Sequence, residues 1–216
     1  MRMHEFSHVA LIIGSGKTWS NLIGSLLNNN ACVFAPVKDI KQLHSFKESH
    51  NKKGKLVAEL IDIADYQRAE TFVKEFITKY GEIDTVIYVF EDLHCLAQQY
   101  FSNISYGEFE TIINNYIINF FIFFRIVLNS MRKDNRGIFI NIQKQQIGEK
   151  KAESRLVSFI EKVQMEISKL FSEEVQNAKV KYHHLSLDSS QTVSKNSARF
   201  TIDSIMNLCK EPGIAG

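Results

Sequence analysis

The chain has 216 residues, 44% hydrophobic and 23% charged, a balance that fits a globular fold and argues against disorder. Its formal net charge is +2, with the basic residues scattered along the chain, so neither nucleic acid nor an acidic membrane surface is expected as a partner. Three cysteines, Cys32, Cys95 and Cys209, are spaced too irregularly for a disulfide framework or a zinc site and fit a reducing, cytoplasmic setting.

The first residues, Met1 to Phe6, carry no apolar core of the kind a signal peptide needs. Short apolar runs rich in β-branched residues then recur at His8–Ile13, Ala31–Val37, Lys55–Leu60, Thr85–Phe90, Gly137–Ile142 and Val180–Leu187. Helical spacing fills the intervals. Leu22, Ile23, Leu26 and Leu27 share a face, as do Phe72, Phe76 and Ile77. Leu156, Phe159, Ile160, Val163, Ile167, Leu170 and Phe171 repeat at three and four residues. Asp65 is placed to cap one helix start and Gly81 to cap its end. Gly107 lies near the start of a long helix running through Met131, and Asn135-Arg136-Gly137 turns the chain back into a strand.

Strands apolar on both faces and alternating with helices predict an α/β, Rossmann-type, doubly wound parallel sheet in three layers. With two prolines and no Gly/Ser-rich linker, residues 1–216 read as one domain. The apolar run Ile117–Val127 contains Asn119 and Arg125 and is too short to cross a bilayer by itself. Its phenylalanines, Phe120, Phe121, Phe123 and Phe124, occupy nearly every face of a helix. One side must meet the sheet; the other covers a loop or meets another subunit.

Ile13-Gly14-Ser15-Gly16-Lys17-Thr18-Trp19-Ser20 joins the first strand to a helix, where a Rossmann fold binds pyrophosphate. Gly16-Lys17-Thr18 ends like a P-loop, but the glycine required five residues earlier is Leu11, inside the strand. Nucleotide hydrolysis is therefore excluded. Gly14 and Gly16 serve a plain strand-to-helix turn equally well.

In order and spacing, several landmarks resemble the short-chain dehydrogenase/reductase family over nearly the whole chain. Ile13-Gly14 begins the family's T-G-x-x-x-G-x-G loop, with Thr18 and Ser20 at the second and third glycines. Asp62-Ile63-Ala64-Asp65 resembles D-[VI]-x-D after strand three, and Tyr80-Gly81-Glu82-Ile83-Asp84 resembles F-G-x-[IL]-D before strand four. Arg125 to Met131 and Gly137 to Ile142 resemble the end of helix five and strand five. The resemblance implies a cofactor cleft at Gly14, Ser15, Lys17, Trp19, Lys38, Asp62 and Ile63. Val37 stands where NAD-preferring relatives carry an acid, so Lys17 and Lys38 would face a 2′-phosphate and the implied cofactor is NADP.

The resemblance breaks at the chemistry. The family uses a tyrosine as general acid/base, a lysine four residues later and a serine thirteen residues before the tyrosine. Counting from strand five places these on Val157, Glu161 and Lys144. Matching Ile167-Ser168-Lys169 to the family's L-T-K gives the same positions, so no catalytic residue is assigned. The family's helical asparagine falls on Tyr116, with Asn115 one residue away and rotated by about 100° in an α-helix. Phe90 and Glu91 replace small residues of the N-N-A-G stretch, and Leu187-Asp188 replaces a Pro-Gly turn at the nicotinamide. Asp188 to Ser197 leaves room for a short loop, not a lid. His183 and His184 adjoin on a strand and point to opposite faces, so they cannot chelate one metal together. Glu91, Asp92 and His94 form a small polar cluster that reads chiefly as a solvated loop.

The expectation is a non-catalytic relative of this family that acts as an oligomeric partner or as an NADP(H)-binding sensor. Relatives pair through the helix corresponding to Ile117–Val127 and the one after it, so a homo-oligomer or hetero-oligomer is expected there. The alternative is a divergent NADP(H)-dependent oxidoreductase with a different proton donor, such as Tyr116.

Overall fold

Each apolar run becomes a strand in this computed structural model, which describes residues 6–14, 16–37, 54–61, 65–90, 101–145, 155–175, 179–188 and 203–208. The strands are β1 (His8–Gly14), β2 (Ala31–Val37), β3 (Lys55–Leu60), β4 (Thr85–Phe90), β5 (Gly137–Gln145) and β6 (Val180–Asp188). All pair in parallel in the order β3-β2-β1-β4-β5-β6. The order reverses direction beside β1, and that switch point is where open α/β sheets bind ligands.

The helices are α1 (Gly16–Asn28), α2 (Tyr66–Tyr80), α3 (Tyr106–Ile113), α4 (Asn119–Asp134) and α5 (Arg155–Val175). Residues 203–208 are also helical. Alternation along the strands separates two cores. Leu11, Ile13, Phe34, Val86, Tyr88 and Phe139 face α2, α4 and α5, while Ala10, Ile12, Val33, Ile87, Val89 and Ile140 face α1 and residues 203–208. Burial on both faces explains why β1, β2 and β4 read as continuous apolar runs.

Local signals fix the helix ends. Asp65 accepts the Arg68 N–H at 3.0 Å at the start of α2. At its end, Gly81 adopts φ +92° and donates its N–H to the Ile77 carbonyl, a geometry that a residue with Cβ would strain. Gly107 lies in the first turn of α3, near the helix start as read from the sequence, and Ser105 caps that start through a reciprocal capping box with Glu108 that also holds the Glu108 carboxyl below its ordinary pKa.

The long helix differs from expectation. Between α3 and α4 the chain forms a π-helical segment, Asn114–Ile118, so the helical run is not one uninterrupted α-helix. By length and composition Tyr106–Asp134 would suffice to cross a bilayer. Phe120, Phe123, Phe124 and Val127, however, are at most 1% exposed against the sheet, as in a core helix.

The inner face of α5 is also displaced from the predicted stripe. Val157, Ile160, Gln164, Ser168, Phe171 and Val175 are buried, whereas Phe159 and Leu170 are 45% and 63% exposed. Two polar residues in the middle of the buried stripe made the flanking apolar ones look like its centre.

At the amino edge of the sheet, the Asp84 carboxylate accepts the Val9 N–H at 2.9 Å and lies 3.4 Å from the Arg136 guanidinium. His8 Nε2 lies 2.9 Å from the Thr85 hydroxyl. This network joins the starts of β1, β4 and β5, on the side away from the ligand edge.

Candidate functional site

The carboxyl ends of β1 and β4 meet at Gly14, which pairs with Val89. Gly14 has φ +145°, and a Cβ there would lie 2.1 Å from the Val89 carbonyl oxygen. Close packing of two central strands thus requires this glycine whether or not a ligand binds. Gly16, with φ +88°, opens α1, whose first turn contains no acidic residue. That helix start suits an anion, so the pyrophosphate end of a dinucleotide fits. Thr18 and Ser20, at the family's glycine positions, are half-buried.

Trp19 departs from the expected cofactor contact. It is 1% exposed, packs with Leu22, Ile23 and Ile12, and directs its indole Nε1 at the Ile12 carbonyl at 3.4 Å. The side chain belongs to the core between α1 and the sheet and presents almost no surface to a ligand. An aromatic ring on the inner face of an amphipathic helix gains more from burial than from a wet cleft. Ser15, Lys38, Asp62 and Ile63 lie outside the described residues, as do Glu91, Asp92, His94 and the side chains of Lys17 and Lys144.

Of the positions that the resemblance assigns to the family's catalytic residues, Val157 and Tyr116 lie together. Val157 is 3% exposed and packs with Ile112, Leu156 and Ile160, bordered by Ile104, Phe109 and Tyr116. Tyr116 and Val157 thus share one apolar cluster. Glu161, one turn beyond Val157, is half-buried, and burial raises the pKa of its carboxyl. By the resemblance, this carboxyl stands where the family carries its lysine.

The π-helical segment changes the reading of Asn115. A rotation of about 100° per residue holds for an α-helix, whereas the wider turn at Asn114–Ile118 accommodates an extra residue. Gln164 reaches across from α5, 1% exposed, and donates Nε2–H to the Tyr116 carbonyl at 2.6 Å. Ser168 in turn donates its hydroxyl to the Gln164 carbonyl at 2.6 Å, and Asn141 on β5 lies 3.4 Å from both Ser168 and His184 Nδ1. Sequence reasoning passed over Gln164 and Ser168. The available signal was their position, three and four residues from apolar neighbours on the buried face of α5. Replacing Gln164 with leucine removes the short bond to Tyr116 and is expected to cost about 1 kcal/mol, read from the midpoint of urea unfolding.

Other buried groups are tuned against ionisation. Burial, and secondarily the neighbouring Tyr116, pushes the Tyr88 hydroxyl well above its ordinary pKa. Burial raises the Tyr182 hydroxyl and lowers the His184 imidazole. His184 faces Asn141 on the α5 side, while His183 pairs with Ile140, so the two rings diverge as alternation along a strand requires. Among the described residues, no group of three His, Cys, Asp or Glu is placed to hold a metal ion.

Neither a protein-family profile nor a curated protein matches the sequence. Solved structures do match its fold. A metagenomic short-chain oxidoreductase in complex with NADP superposes with a TM-score of 0.78 at 14% identity, covering 98% of this chain and 94% of the other. A short-chain type dehydrogenase/reductase from Mycobacterium ulcerans gives 0.75 at 11% identity, over 95% and 84% of the two chains. ElxO with NADP bound gives 0.76 at 14% identity, over 95% and 92%. The architecture is that of the short-chain dehydrogenase/reductases: a six-stranded parallel sheet flanked by helices.

Proposed function

We propose that this chain is a short-chain dehydrogenase/reductase that keeps the family's architecture without its chemistry, acting as an oligomeric partner or as an NADP(H)-binding sensor. Val157 carries the reading. It stands at the family tyrosine's place by two independent counts and is enclosed by Ile112, Leu156 and Ile160. A valine has no proton to transfer, and Glu161 cannot depress a phenol's pKa as a lysine does. NADP(H) is favoured over NAD(H) by Lys17, Lys38 and the uncharged Val37, and by the NADP held in two proteins of the same fold. The anion-ready start of α1 supports retention of the pyrophosphate site. Assembly would use α4 and α5, which leave Phe121, Phe159 and Leu170 in solvent.

Calorimetric titration with NADPH and NADH, paired with an assay of nicotinamide oxidation over a panel of aldehydes and ketones, tests the proposal. Saturable NADPH binding without consumption is the result expected of a sensor. Absence of binding by either dinucleotide would leave the partner role alone.

One observation favours a second reading, a divergent NADP(H)-dependent oxidoreductase. Tyr116 carries a phenol, is half-buried, and lies in the same cluster as Val157. If it donates the proton, Tyr116→Phe abolishes turnover; an unchanged rate rejects the assignment.

A further inference from the structure

A row of polar groups crosses the apolar layer between β6 and the π-helical turn. His184 is half-buried on β6, the last strand of the sheet among the described residues, where its imidazole can exchange a proton with solvent. Its Nδ1 lies 3.4 Å from Asn141 Nδ2, and the same amide nitrogen lies 3.4 Å from the Ser168 hydroxyl. Ser168 has one hydroxyl proton and gives it to the Gln164 carbonyl at 2.6 Å. Its oxygen must therefore accept from Asn141 Nδ2, which fixes the orientation of the amide. The same Nδ2 faces His184, so Nδ1 accepts and the ring proton of the neutral imidazole sits on Nε2. Asn141 is 1% exposed and its Oδ1 has no hydrogen-bond partner.

Protonation of His184 makes Nδ1 a donor, and two donors then face each other. The amide resolves this by turning over, which puts the unused Oδ1 where Nδ2 stood. Ser168 now meets an acceptor and must swing its proton away from the Gln164 carbonyl. Gln164 is the residue whose Nε2–H holds the Tyr116 carbonyl at 2.6 Å.

We propose that His184 and Asn141 form a proton-operated switch, in which charging the imidazole reverses the Asn141 amide, releases Ser168 from Gln164 and so reaches the π-helical turn at Tyr116. This goes beyond the proposed function and stands whether or not a dinucleotide binds. Among the described residues no carboxylate pairs with His184. On β6, Lys181 and His183 fall on the opposite face by alternation, and Tyr182, on the same face, is kept protonated by burial. On α5, Lys169 and Glu166 pair with each other in solvent, and Glu161 lies two turns before Ser168, about 10 Å along the axis. From α4 the contact is Phe124 against Tyr182, while Arg125 rests on the Tyr66 ring and Arg132 on Glu174.

NMR of the unaltered chain from about pH 8 to about pH 5 tests the switch. His184 is expected to titrate below the ordinary histidine value, because burial disfavours its charged form. The side-chain amide signals of Asn141 and Gln164 should shift with the same midpoint, and in His184→Gln both should hold still through that midpoint. A His184 midpoint at or above the ordinary value, either amide standing still while His184 titrates, or equal shifts in His184→Gln would overturn the inference. Stability gives a second readout. A histidine whose proton affinity is lowered on folding contributes stability that is complete above the unfolded value and is lost as pH falls through the folded one. Between about pH 7.5 and about pH 5 the folding equilibrium constant of the parent, from urea unfolding, should fall at least about twofold more than that of His184→Gln. An equal fall in both chains would contradict the switch.

Discussion

Truncating Phe124 to alanine is expected to destabilise the chain by about 3–5 kcal/mol, lowering the melting temperature by on the order of 10 °C for a domain of this size. Phe124 is 1% exposed and joins three layers of contact. It stacks on Phe171 of α5 with 3.4 Å between centroids and 9° between planes, lies 4.4 Å from Phe139 of β5, and meets Tyr182 of β6 edge-on at 5.9 Å. Removal of the ring leaves a cavity that two sheet strands and two helices cannot close by small shifts. The outward-facing Phe121, on the same helix and 40% exposed, provides the contrast. Phe121→Ala should lower stability by less than about 1 kcal/mol. Thermal unfolding of the two variants distinguishes the inner from the outer face of α4.

Gly14→Ala is expected to cost at least about 3 kcal/mol and to do so without any dinucleotide present. The new methyl would lie 2.1 Å from the Val89 carbonyl oxygen and 3.1 Å from its Cβ, at φ +145°. Both strands are central in the sheet, so neither can move aside without breaking pairing on its far edge. Chemical unfolding of the ligand-free variant is the relevant measurement. Stability equal to that of the parent would show that the glycine serves a bound pyrophosphate rather than strand packing.

The strands were legible in the sequence because the signal there is simple. A strand buried on both faces has to be apolar throughout, and Ala31–Val37 and Thr85–Phe90 appear with the ends read from the sequence, as does the partly buried edge strand Lys55–Leu60. The caps at Asp65 and Gly81 were legible for the same reason, since one residue type answers one backbone need. The face of α5 was not. Gln164 and Ser168 occupy core positions whose polar atoms are satisfied by the Tyr116 carbonyl and by α5 itself, and hydrophobicity cannot register a satisfied polar group. The π-helical turn at Asn114–Ile118 was equally hidden, because it is a choice of hydrogen-bond partner and not of composition. At the candidate site, the convergence of Tyr116 and Val157 was implied by the counted positions. The burial of Trp19 was not, because the turn pattern placed the residue at the cleft without saying where its side chain points.

In the proposed function, a chain with the family's architecture lacks the family's proton transfer. The most direct measurement is NADPH consumption by the purified chain with a panel of aldehydes and ketones, followed by nicotinamide absorbance. No consumption above the protein-free rate is expected, and the same null rate for Tyr116→Phe. Saturable consumption that rises with protein concentration and survives repurification would contradict it, and loss of that activity in Tyr116→Phe would transfer the proton to the tyrosine beside Val157.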